Sequence, residues 1–122
     1  MNIGKRILPL LAIALLSLAI AQNDEPAPAS DGAEQYQLFC AACHMSDGQG
    51  AEGAGIYPAL ANNPAVAASP DFVILRILHG RGAMPAFGSL SDEQVAAIVN
   101  FVRTSFNDAE DEIGTEQVEA FR

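Results

Sequence analysis

Cys40-Ala41-Ala42-Cys43-His44 decides how this chain folds. Two thiols three positions apart on a helical turn share one face, and the next residue carries an imidazole toward the same side. That spacing fits covalent attachment of haem, in which each thiol adds to one vinyl group and the histidine ligates the iron. Three other readings fit less well. A structural zinc site needs four ligands, and His79 is the only further cysteine or histidine in the sequence. A thioredoxin-like C-x-x-C belongs in a βαβ context, and no strand pattern surrounds this one. A disulfide across two intervening residues closes too short a loop to constrain the unfolded chain much.

Outward from the motif the chain reads as helices joined by glycine-rich loops. Gly32 to about Cys43 has helical character, with Tyr36 and Phe39 three apart. Residues 45–63 read as loop, because Gly48, Gly50, Gly53, Gly55 and Pro58 leave no room for a regular element. Within it, 48–53 spells the G-x-G-x-x-G of a dinucleotide site, but it follows the cysteine motif inside a loop instead of a strand and carries no weight. Ser69-Pro70-Asp71 starts a helix, with Ser69 as N-cap and Pro70 at the first helical position. Gly80 stops it, and Arg81 to Leu90 forms a second loop. Ser91 and Gln94 make a capping box. Val95, Ile98, Val99, Val102 and Phe106 then lie on one helical stripe. The acidic segment 108–122 reads as solvated, either a short helix or disordered. No internal repeat and no convincing strand is visible, so the expected class is all-α.

An iron held by His44 needs a second ligand or an open site. Of the three methionines, Met1 heads the export segment described below, and Met45 adjoins His44 and is tied to the same side. Met84 lies far enough along, in Gly80-Arg81-Gly82-Ala83-Met84-Pro85-Ala86-Phe87, to wrap over the opposite face. His79 is the alternative ligand, or a cation favoured in the last turn of its helix. Coordination by His44 and Met84 would close the iron to substrate, favour Fe(II), and leave electron transfer with no bond chemistry.

The chain has 122 residues, enough for one small domain. Lys5 and Arg6, the apolar run from Ile7 to Ile20, and Ala19-Ile20-Ala21 read as a signal peptide over 1–21. An uncleaved anchor is the rival reading, although the run is short for a span and contains Pro9. Residues 22–31 are a polar leader, 32–107 the domain, and 108–122 the acidic tail. Removing Lys5 and Arg6 leaves four arginines as the only basic groups against fifteen acidic ones. Such a balance makes nucleic acid and anionic membranes poor candidate partners and points to a protein partner with a basic docking face; no stable membrane insertion is expected after signal cleavage. The expected location is periplasmic or otherwise extracytoplasmic.

On these motifs the sequence resembles the class I monohaem cytochromes c, from about Gly32 to Ser105. Gly32 and Tyr36 are similar to the glycine and aromatic of the family's N-terminal helix, and Phe101 to the aromatic of the C-terminal helix that crosses it. The resemblance implies one haem c bound through Cys40 and Cys43, with iron between His44 and Met84. It also implies that the Pro58 carbonyl accepts a hydrogen bond from the ligand histidine and that Leu60 packs on the haem edge. The expected role is a soluble electron shuttle for a respiratory complex or dehydrogenase and a terminal oxidase or reductase. The alternatives are a haem subunit of a multi-protein oxidoreductase or a haem sensor. The missing ring of lysines departs from the mitochondrial members and bears on docking.

Overall fold

The computed structural model describes residues 31–122. The export segment 1–21, and all of the leader but Asp31, lie outside the described residues. Helix α1, Gly32–Phe39, starts where the Asp31 carboxylate accepts from the amides of Ala33 at 2.9 Å and Glu34 at 3.3 Å. The helical character expected from Gly32 to about Cys43 is present as two helices: Cys40 lies between them at φ −117°, and α2, Ala41–His44, follows. The chain then turns at Met45, φ +65°, where the Tyr36 hydroxyl donates to the Met45 carbonyl at 2.7 Å.

The loop expected over 45–63 contains a small antiparallel ribbon, β1, Ala51–Glu52, with β2, Ile56–Tyr57, and Ala51 opposite Tyr57. Two-residue strands are too short to show an alternation, so the sequence pattern carried no sign of them. A further helix, α3, Pro64–Ala68, went unread for the same reason; its N-cap is Asn63, whose side chain accepts from Ala65 and Val66. Helix α4, Pro70–His79, begins as expected with Ser69 Oγ accepting from the Phe72 amide at 3.2 Å, and ends at Gly80. Helix α5, Asp92–Asn107, opens on the reciprocal bonds of Ser91 and Gln94.

Helix α5 is the spine. Val95, Ile98, Val99 and Val102 are buried along it, each contributing about 1.5–3 kcal/mol by removal from water. Helix α1 crosses it where Gly32 lies against the Ala97 backbone. A Cβ at Gly32 would collide with the Ala97 carbonyl oxygen and come within 2.8 Å of the Phe101 Cβ. The close approach sets fully buried Tyr36 beside Phe101 and Phe106, with ring centroids 5.4 and 5.2 Å away.

The acidic tail is not the solvated segment that its charge suggests. It contains α6, Thr115–Glu119, which packs on α5 with Ile113 and Val118 buried. Two apolar residues five apart among many carboxylates are a weak signal. Arg103, buried on α5, holds this segment in place. Its guanidinium donates to the carbonyls of Asp111 at 2.9 Å and Ala67 at 3.0 Å and to the Asp111 carboxylate at 2.8 Å.

Replacing Arg103 with Leu should destabilise the protein by about 1–3 kcal/mol in urea unfolding, because two backbone carbonyls lose their donor. The Asp111 carboxyl is held below the ordinary carboxylate range, chiefly by the hydrogen bond from Arg103. The ion pair therefore stabilises the fold above that range and loses its contribution as pH falls through the lowered value. Asp111→Asn should be less stable than the parent at neutral pH, with the difference vanishing on acidification.

Candidate haem site

Between α2, the loop to Leu60, α4 and the Gly80–Phe87 loop lies a cavity of about 340 Å³. All six residues singled out in the sequence line it: Cys40, Cys43, His44, Pro58, Leu60 and Met84. Its walls are mostly apolar, with Val66, Val73, Ile77, Ile98 and Val102 at the back. Phe39 and Phe87 face each other edge-on at 6.2 Å.

The imidazole of His44 is 8% exposed, and its Nδ1 lies 2.9 Å from the Pro58 carbonyl oxygen. A carbonyl only accepts, so Nδ1 carries a proton, and in the neutral ring Nε2 holds the lone pair that a metal would take. The Pro58 carbonyl is held in turn by its own loop. The amides of Leu60 and Ala61 both donate to the Gly48 carbonyl, at 2.7 and 3.0 Å, and the Gly50 amide donates to the His44 carbonyl at 3.0 Å. These bonds fold residues 48–61 back onto α2.

Cys40 is half-buried and Cys43 exposed, and they form no disulfide. Burial first, and then the neighbouring Cys43, push the Cys40 thiol up to about 11. A raised thiol is mostly protonated near neutral pH, unlike the activated cysteine of a thioredoxin-like site.

Half-buried Met84 reaches the cavity from a tight turn, in which the amides of Arg81 and Met84 donate to each other's carbonyls at 3.1 and 3.0 Å. Gly80 makes this turn possible: its φ is +65°, and a Cβ there would collide with the Met84 carbonyl oxygen. At the far end the Phe87 amide donates to Ile77 at 2.8 Å. The rival ligand His79 is exposed, faces the Phe121 carbonyl at 3.3 Å, and is absent from the cavity lining, as is Met45.

The sequence reading missed Arg76 and Arg81, which also line the cavity. Neither has an ion-pair partner among the described residues, in a chain rich in carboxylates. The Arg76 guanidinium lies 4.8 Å from the Phe72 ring centroid. A charged residue inside the α4 stripe Phe72–Val73–Arg76–Ile77 was the available signal.

The residues fit a haem. Two thiols, an oriented imidazole and a thioether surround an apolar slot, with two unpaired guanidinium groups suited to the two haem carboxylates. In a bundle of short helices crossing at Gly32 and Phe101, this site defines a small c-type cytochrome.

Comparison with known proteins agrees. Residues 27–102 match the family described as cytochrome C oxidase, cbb3-type, subunit III. Cytochrome c-552 of Thermus thermophilus is 35% identical, over 82% of this chain and 72% of its own length. Cytochrome c6 of Thermosynechococcus vestitus is 33% identical, over 80% of this chain and 89% of its own. The fructose dehydrogenase cytochrome subunit of Gluconobacter japonicus is 35% identical over 76% of this chain, which spans only 22% of that protein. The chain belongs to the cytochrome c family that this model describes; it carries covalent haem c and transfers electrons.

Gly80→Ala should cost about 1–3 kcal/mol from its left-handed backbone, plus the displacement of the Met84 carbonyl. Gly82→Ala, at φ +58° with open space around it, should cost only about 1 kcal/mol. Urea unfolding of both variants checks the order.

Proposed function

We propose that this protein is an exported one-electron carrier whose haem iron is held between His44 and Met84, and that it catalyses no bond chemistry of its own. The observation that carries the reading is the meeting of these two donors on one apolar cavity, with the His44 ring already oriented by Pro58. When bound, haem c supplies a reversible one-electron iron couple.

Each residue has a part. Cys40 and Cys43 anchor the group covalently, and Pro58 fixes the tautomer and raises the basicity of His44. Met84 supplies a soft sulfur that favours the reduced state and blocks access by other ligands. Leu60, Val73 and Ile77 keep water from the metal, and Arg76 and Arg81 neutralise the haem carboxylates at the rim. A closed, dry site needs little rearrangement between oxidation states, which suits rapid electron exchange.

The sequence of residues 1–21, read as an export signal, supports a carrier working outside the cytoplasm, in the periplasm or an equivalent compartment. No helix among the described residues is long and apolar enough to cross a membrane. The formal charge of the whole chain is −9, and this excess steers a redox partner with a basic docking face. A second reading, a haem subunit fixed within a larger oxidoreductase, draws on the dehydrogenase cytochrome subunits among the relatives.

Stopped-flow electron exchange separates these ideas from a sensor or a catalyst. The rate with a cationic redox complex should fall as salt rises, and that with an anionic complex should rise. Rates indifferent to salt would remove the basic-partner reading. Carbon monoxide should bind the reduced protein slowly; rapid binding would mean that Met84 does not close the site. Co-purification of a stable partner would favour the fixed-subunit reading.

A further inference from the structure

Two consecutive tail residues reach opposite ends of the Met84 loop. Before it, His79 Nε2 lies 3.3 Å from the Phe121 carbonyl. After it, the Arg122 guanidinium donates to the carbonyls of Gly88 at 2.6 Å and Leu90 at 2.5 Å, and to the Asp92 carboxylate at 2.6 Å. Inside those ends the loop has few ties of its own, chiefly the Arg81–Met84 pair and the bond from Phe87 to Ile77.

The tail in turn is well founded. Val118 is fully buried, the Asn100 side chain bonds both the amide and the carbonyl of Ile113, and Gln117 Nε2 donates to the Asp71 carboxylate at 2.7 Å. Buried at one end and charged at the other, the segment is a strap from the α5 spine to the base of the loop. We infer that residues 113–122 clamp the Met84 loop and that Arg122 is its positioning residue, holding the methionine sulfur over the cavity without touching it. The consequence for the iron rests on the proposal that Met84 is a ligand; the clamp itself does not.

The physical reason for an arginine is its planar fork. One guanidinium satisfies two outward carbonyls, which the turn from Gly88 to Leu90 leaves without backbone partners, while Asp92 at the start of α5 fixes its orientation. Loss of the fork frees the far end of the loop while the helical core, anchored by α1 and α5, is unaffected.

The test compares the haem-loaded, oxidised full-length protein with Arg122→Gln, using two readouts. Amide hydrogen exchange at Arg81, Met84 and Phe87 should quicken by about tenfold, the equivalent of one charge-assisted hydrogen bond. Exchange at Ile98 and Val99 in α5 should be unchanged. The far-red sulfur-to-iron absorption should also disappear at a lower urea concentration than the helical signal, whereas in the parent the two are lost together. Loop exchange that is unaltered, or that rises equally in the loop and in α5, would overturn the clamp. A parent protein without the far-red band would remove Met84 as ligand, and the exchange pattern would still decide whether the strap holds the loop.

Discussion

The hydrogen bond from His44 Nδ1 to the Pro58 carbonyl is the interaction on which the site depends. It joins the end of the cysteine motif to a loop fourteen residues further on. It also dictates which ring nitrogen can face a metal. The backbone of residues 48–61 folds so as to bring that carbonyl into place, with Gly48 accepting from Leu60 and Ala61. An imidazole free to rotate, or protonated on the other nitrogen, would be a poorer ligand in the same cavity.

Around that bond the fold solves a problem of size. A short chain has too little apolar surface to build a large core. Its helices therefore surround a cavity, and α5 serves both sides: Ile98 and Val102 face the slot, while α1 packs closely through Gly32. A covalent apolar group completing the interior makes cofactor attachment and folding parts of one process. Arg76 and Arg81 also line the cavity and supply positive charge that the apolar walls lack, which would complement the carboxylates of a bound haem.

The chemistry was legible in the sequence to a greater extent than the architecture. The cysteine motif, the Met84 loop and the caps at Ser69 and Ser91 depend on local spacing; the two serines cap their helices as expected, and the motif and Met84 line one cavity. What escaped were features that depend on partners distant in sequence. The β1–β2 ribbon and α3 are too short to leave a periodic trace. Arg76 and Arg81 looked like ordinary basic residues until their apolar neighbours were placed. The tail misled most, because its net acidity hides Val118 and Ile113, whose burial depends on a surface of α5 that no local pattern reveals.

Central to the account is coordination of one iron by His44 and Met84. The most direct measurement is the far-red absorption of the oxidised, haem-loaded protein at neutral pH, recorded for the parent and for Met84→Ala. A weak sulfur-to-iron band in the parent that is lost in the variant is the predicted result. A parent spectrum without the band would contradict the account, leaving an open site or another ligand at the iron.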